Sequence, residues 1–324
     1  MRAVVCKQYG PPEQLVVEEV DDPVPGPGEL LVSVAATAVT FPDTLMIENK
    51  YQVKPIPPYI PGVEVAGVVA GVGDGVEGWS VGDRVVGGAG TVGGFAELAV
   101  IPSYWAHPLP ESIGFDIAAG LNYAYGTTLY GLEYRGKLRA GETLLILGAA
   151  GALGLAAVEL GRVLGARVIA AASSEDKLAR CREHGAHDTI DYTTEDLKTR
   201  ARELTGRKGV DVVFDCVGGD HAEQALRAMA WEGRFLTVGF AAGVPSIPLN
   251  LPLLKNCAIV GVFYGPIVAH DPAFCAQIGK QLLDLVVRGD LRPHVDGHYP
   301  LERTGEAMRA VIDRKAIGKL VVNP

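Results

Sequence analysis

The chain has 324 residues, a formal charge of −9, 48% hydrophobic residues and 21% charged residues. That length is too great for one compact core and suits two domains of an ordinary globular protein. The acidic balance and the lack of a Lys/Arg block argue against nucleic-acid partners, and the longest apolar run, Leu144 to Val158, is short and broken by glycine, which excludes a membrane span.

Short apolar segments at Leu30–Ala36, Val63–Val72, Asp83–Gly87 and Gly94–Val100 predict strands. Pro23-Val24-Pro25-Gly26-Pro27-Gly28 and Pro55-Ile56-Pro57-Pro58 punctuate them, so the region up to residue 120 reads as β-rich and barrel-like with irregular loops. Asn122, Tyr123, Tyr125 and Thr127 fall at the expected domain junction, where clefts form.

The rhythm then changes. Thr143-Leu144-Leu145-Ile146-Leu147 reads as a buried strand, and Gly148-Ala149-Ala150-Gly151-Ala152-Leu153-Gly154 as a sharp turn into a helix over Ala152–Leu164. Glycines at this spacing let a backbone approach a pyrophosphate at a helix N-terminus, which points to Ala150, Gly151, Ala152 and Leu153 as dinucleotide contacts. Strand Arg167–Ala171, helix Glu175–Glu183, strand Val210–Asp215, a helix around His221–Ala230 and strand Arg234–Val238 continue the alternation. Alternating strand and helix predicts a doubly wound parallel sheet, an α/β fold with the dinucleotide across the strand carboxyl ends.

An NAD site normally carries Asp or Glu roughly twenty residues past the glycines. This chain has Ala171-Ala172-Ser173-Ser174 there, so nothing repels a 2′-phosphate, and Ser173, Ser174 and Lys177 supply donors. We read an NADP site; the alternative is a plain capping box of Ser173 with Asp176 beside a solvated Lys177.

The apolar run Ile247–Val262 is expected to pair across a two-fold axis in a homodimer. Beyond it lie a helix over Asp271–Arg288, a loop at His294-Val295-Asp296-Gly297-His298 and a final strand Lys319–Val322, a tail too short for its own core and expected to complete the first domain. Five scattered cysteines, Cys6, Cys181, Cys216, Cys257 and Cys275, with no leading apolar signal, lead us to expect a reducing, cytoplasmic setting.

Several strings resemble the zinc-free NADPH:quinone oxidoreductase branch of the medium-chain dehydrogenase/reductase superfamily across essentially the whole chain. They are Pro61-Gly62-Val63-Glu64-Val65-Ala66-Gly67, Gly82-Asp83-Arg84-Val85, Gly93-Gly94-Phe95-Ala96-Glu97, Asp215-Cys216-Val217-Gly218-Gly219 and Gly318-Lys319-Leu320-Val321. The resemblance implies a GroES-like β-rich domain over 1–120 and 263–324 and a Rossmann domain over 121–262. It adds cofactor contacts at Thr40, Thr127, Tyr192, Val238, Gly239, Phe240, Val262, Phe263, Tyr264, Arg314 and Lys319. It also implies no metal, because Val63 stands where zinc-dependent relatives carry a ligating His, and the four-cysteine loop is missing.

Without a Lewis acid, hydride transfer suits a conjugated acceptor whose developing charge is delocalised. The expected function is therefore reduction of quinones or other activated alkenes by NADPH. An enoyl-CoA or 2-alkenal reductase is the enzymatic alternative, and a non-catalytic NADPH-binding protein the other. Thr40 and Leu45 replace the polar Asn and Tyr common in relatives, while Tyr51 matches a proposed proton donor of related enoyl-thioester reductases.

Overall fold

The computed structural model describes residues 1–90 and 92–324 and divides them into two compact units. The first comprises Met1–Tyr123, Val268–Arg288 and His294–Pro324, and the second Ala124–Ile267 and Gly289–Pro293. In chain order the first unit contributes β1 (Arg2–Val5), β2 (Val16–Glu19), β3 (Glu29–Val39), β4 (Glu64–Val72), β5 (Arg84–Gly88), β6 (Leu98–Pro102) and β7 (Ala106–Pro108). The second contributes β8 (Thr143–Leu147), β9 (Arg167–Ala172), β10 (Asp188–Asp191), β11 (Val210–Asp215), β12 (Met229–Thr237) and β13 (Ala258–Gly261). The chain then returns to the first unit with β14 (Val295–Pro300) and β15 (Lys319–Asn323).

The first unit is a GroES-like β domain. Its seven-stranded sheet runs β14-β15-β3-β4-β5-β7, with β6 also paired to β3, and β1 and β2 form a separate ribbon. The returning tail is tied in by antiparallel pairing of Leu320, Val321 and Val322 with Val39, Ala38 and Thr37. Two apolar clusters fill the unit, one holding Leu30, Val32, Val65, Val85 and Ile101, the other Val39, Tyr59, Phe95, Met308 and Leu320.

The second unit is a parallel sheet ordered β10-β9-β8-β11-β12-β13. Counted within the unit this is 3-2-1-4-5-6, the doubly wound Rossmann order, whose direction reverses between β8 and β11. Helices Ala152–Val163, Glu175–Glu183, Leu197–Leu204 and Gly219–Ala228 connect the strands. Leu144, Leu145, Ile146 and Leu147 are all fully buried, as a central strand covered on both faces requires.

The structure corrects the sequence reading in several places. The segment His294–His298, expected as a loop, mostly belongs to β14, which pairs in parallel with β15 across a register shift between Val295 and Gly297. β14 ends the sheet, and an edge strand tolerates the Gly and Pro that disguised it. Helices Phe41–Ile47, Leu197–Leu204 and Thr304–Ile312 were not anticipated. The capping box of Ser173 with Asp176, the alternative to a phosphate-binding role, does not form: the Glu175–Glu183 helix is capped at Ser174, with no side-chain cap bond. Among the described residues no helix is long and apolar enough to cross a membrane.

Candidate active site

The glycine turn leaves β8 at the reversal point of the second unit's sheet. Its helix begins after Gly151, and the first intrahelical bond runs from the Leu155 N–H to the Gly151 carbonyl at 2.8 Å. The N–H groups of Ala152, Leu153 and Gly154 therefore have no intrahelical acceptor and sit at the positive end of the helix dipole. Gly154 cannot carry a side chain, because a Cβ there would lie 2.2 Å from the Gly148 carbonyl oxygen. Gly151 differs: a Cβ there would meet only that same oxygen, at 3.6 Å, so the space before the helix is kept open by the missing side chain. This cradle fits a pyrophosphate. Ala150 is buried, so only its backbone can take part.

At the end of β9 the Lys177 ammonium donates to the Ser173 hydroxyl at 3.1 Å, which holds a cation and a hydroxyl together where a ribose is read. Beyond β10, the Tyr192 ring lies 4.4 Å, centroid to centroid, from that of His221. Asp215, the last residue of β11, is buried and its carboxyl is pushed up by that burial. Its Oδ1 accepts the N–H groups of Val217 (2.8 Å) and Gly218 (2.9 Å), and its carbonyl accepts those of Val238 (3.0 Å) and Gly239 (3.1 Å). One residue thus closes the turn after β11 and fastens the Val238-Gly239-Phe240 segment beside it; the sequence reading used Asp215 only as part of a string.

After β13, Val262 and Tyr264 are buried inside the unit while Phe263 is 51% exposed. Tyr264 packs on Tyr130, ring centroids 5.8 Å apart. Thr127 is half-buried, on the helix whose Thr128 hydroxyl reaches the Leu153 carbonyl at 3.4 Å. Tyr125 is committed elsewhere: its hydroxyl donates at 2.8 Å to the buried Glu159, which also meets His184 Nδ1 at 2.8 Å and the Arg292 N–H at 3.1 Å.

The first unit holds a second polar cluster. Thr40 caps the Phe41–Ile47 helix, and its N–H (2.8 Å) and hydroxyl (2.6 Å) both donate to Asp43 Oδ2. Asp43 is fully buried, and desolvation pushes its carboxyl up to about 6. The buried Glu64 accepts the N–H groups of Asn122 (2.8 Å) and Tyr123 (2.9 Å), and burial lifts it to about 7. The Tyr51 and Tyr123 phenols interact, and burial pushes both of them up.

Two of the expected cofactor contacts change character here. Thr40 spends its hydroxyl on Asp43. Lys319 is buried and donates to the carbonyls of Ile117 (2.6 Å) and Ala119 (2.5 Å), so its cation braces the fold; burial lowers it to about 7. Arg314 lies in an exposed turn at φ 58° after the Thr304–Ile312 helix. Glu64, Asp43 and Asp215 are the residues the sequence reading gave no role. Only Asp43 had a local signal, the Thr40-x-x-Asp43 spacing ahead of Leu45-Met46-Ile47.

Comparison with known proteins agrees with this architecture. Residues 26–111 match the family described as the alcohol dehydrogenase GroES-like domain, and residues 152–276 the family described as zinc-binding dehydrogenase. The quinone oxidoreductase-like protein 2 homolog of Nematostella vectensis is 41% identical over 99% of the chain and 88% of its own length. The chain belongs to the quinone oxidoreductase branch of the medium-chain dehydrogenase/reductase superfamily. It is an oxidoreductase. The quinone oxidoreductase of Pseudomonas syringae pv. Tomato DC3000 superposes with a TM-score of 0.92 at 30% identity, covering 100% of this chain and 99% of that one. The Escherichia coli quinone oxidoreductase complexed with NADPH gives 0.91 at 27% identity, covering both chains fully.

Among the described residues no group of three His, Cys, Asp or Glu side chains is placed to hold a metal ion, and Val63 is buried beside Glu64.

Proposed function

We propose that the protein is a metal-free reductase that uses NADPH to reduce quinones or other conjugated carbonyl acceptors, in the cytoplasm and as a homodimer. The observation that carries the cofactor is the Ser173–Lys177 pair at the end of β9, in a site without a ribose-reading acid. A cation bound to a hydroxyl fits a 2′-phosphate and would do little for a bare ribose. When bound, NADPH supplies a hydride; with one proton it converts the acceptor to its dihydro form and leaves NADP⁺.

The chain's own contribution is binding, orientation and protons. The N–H groups of Ala152 and Leu153 would hold phosphate, and the loop fastened by Asp215 fixes the Val238–Phe240 segment. The likeness to relatives named quinone oxidoreductase supports a quinone as acceptor. Val63 removes a ligand that a zinc-dependent relative needs, which favours an acceptor that delocalises charge by itself. β13, the last strand of its sheet, leaves Ile259 and Phe263 exposed, which favours pairing with a second copy.

A second reading, saturation of an enoyl thioester or 2-alkenal, is favoured by the Tyr51–Tyr123 phenol pair, since a proton must then reach carbon. One screen decides: NADPH oxidation in chelator against a quinone, a 2-alkenal and an enoyl-CoA, with light scattering on the same sample. We expect quinone turnover to lead and a dimer at micromolar concentration. Turnover lost in chelator, or a preference for NADH, would overturn this reading.

A further inference from the structure

We propose that the side-chain amide of Asn122 is the group that recognises the carbonyl oxygen of the electron acceptor. This rests on the reading that the acceptor is a conjugated carbonyl compound. Asn122 is only 4% exposed, yet neither its Oδ1 nor its Nδ2 has a hydrogen-bond partner. A buried amide in that state costs stability with nothing in the protein to offset it.

The main chain that carries this amide is itself held in place. Glu64 grips the backbone N–H groups of Asn122 and Tyr123 through its two oxygens, at 2.8 and 2.9 Å. Lys319 grips the preceding carbonyls of Ile117 and Ala119. Two buried ionisable side chains thus fix both ends of one short turn, an expensive arrangement for positioning a side chain that bonds to nothing. The neighbouring Tyr123 phenol interacts with that of Tyr51, the proton donor of the alkene reading.

The chemistry of the unmet atoms identifies the ligand. Nδ2 offers N–H donors suited to a carbonyl oxygen, and Oδ1 accepts the hydroxyl that a quinone oxygen becomes on reduction. Asp43 Oδ1 and the Tyr59 hydroxyl are also buried without partners in the same unit. A carboxylate oxygen repels a carbonyl oxygen, and Tyr59 packs in the Phe95–Met308 cluster, so Asn122 is the group suited to the acceptor.

The test is Asn122→Leu, close in size and free of polar atoms. Three quantities are compared with wild type: Tm without cofactor, NADPH Kd by fluorescence, and KM for menadione and for a 2-alkenal. We expect Tm to hold or rise, NADPH Kd to stay within about twofold, and acceptor KM to rise about tenfold, the loss of one hydrogen bond. A drop in Tm accompanied by uniform loss would show a structural amide and overturn the proposal. So would an unchanged KM, or a rise in NADPH Kd instead. Should the Leu variant not fold, Asn122→Ala is read for the same KM-against-Kd split. If the wild type reduces neither acceptor, the functional reading itself falls; an active wild type with unchanged KM in the variant removes only this inference.

Discussion

The two polar regions of this molecule are built on opposite plans. In the second unit the proposed dinucleotide cradle is backbone: the N–H groups of Ala152 and Leu153, the open space at Gly151, and a loop held by hydrogen bonds to Asp215. Side chains that the sequence places there, such as Val262 and Tyr264, are turned into the unit's own packing. In the first unit the working atoms are side chains, namely Thr40 with Asp43, Glu64 and Lys319 around Asn122, and Tyr51 with Tyr123. A backbone site follows from chain geometry and tolerates substitution around it. A side-chain site concentrates its chemistry in a few atoms, and single replacements there should do the most damage.

The largest expected effect is at Tyr51. If the alkene reading holds, Tyr51→Phe removes the acid that protonates carbon, and 2-alkenal turnover should fall by roughly 10²–10⁴-fold. Quinone turnover should stay within a small factor, because hydroquinone oxygens take protons from water, and NADPH affinity should not change. Steady-state rates with both acceptors check this. Equal losses on both would show that Tyr51 shapes the site and does not donate.

Next in size is Asp43. Its folded pKa, about 6, lies above the ordinary value of 3.8, because burial disfavours the carboxylate. Between those values the native state keeps a proton that the unfolded chain has released, so stability is lost as pH rises from about 4 to about 6. Asp43→Asn carries no such charge. Over that window its unfolding free energy should gain on the wild type by on the order of 2–3 kcal/mol, then run parallel above it. Urea unfolding at a series of pH values measures the difference. A constant offset across the range would mean that the folded-state pKa of Asp43 is not raised above its unfolded value.

The contrast also governs what could be read from the chain. β8, β9 and β11 and the helices Ala152–Val163 and Glu175–Glu183 were legible almost to the residue, because a buried parallel strand and an amphipathic helix are local patterns and each glycine turn marks an end. Glu64 and Lys319 were not, since their contacts lie at Asn122 and Ile117, 58 and 202 residues away in sequence. No local pattern announces a pairing at that distance. β14 was hidden for another reason: Pro293 and Gly297 suppress a strand reading, and only pairing with β15 overrides them. Lys319 shows the same limit from the other side. Its position matched a cofactor contact, while burial and two carbonyls gave it a structural role.

The smallest of these effects is expected at Lys177, where the backbone site meets its one charged fringe. The ammonium is already held by the Ser173 hydroxyl at 3.1 Å, so its position is partly organised before any phosphate arrives. Organisation raises the value of the contact, because less side-chain freedom remains to be lost. Lys177→Ala should therefore weaken NADPH binding by about 1.5–3 kcal/mol, the range for a charge-assisted hydrogen bond. NADH, which lacks the 2′-phosphate, should bind the variant and the wild type alike, because the Ala152 and Leu153 N–H groups proposed to hold its pyrophosphate are untouched. Titration of both cofactors against both proteins gives the four constants needed. If NADH weakens as much as NADPH, Lys177 supports the cradle generally and the second unit depends on side chains more than its geometry implies. If neither changes, the pair at Ser173 is a surface contact, and specificity for the 2′-phosphate must come from the backbone donors at Ser173 and Ser174.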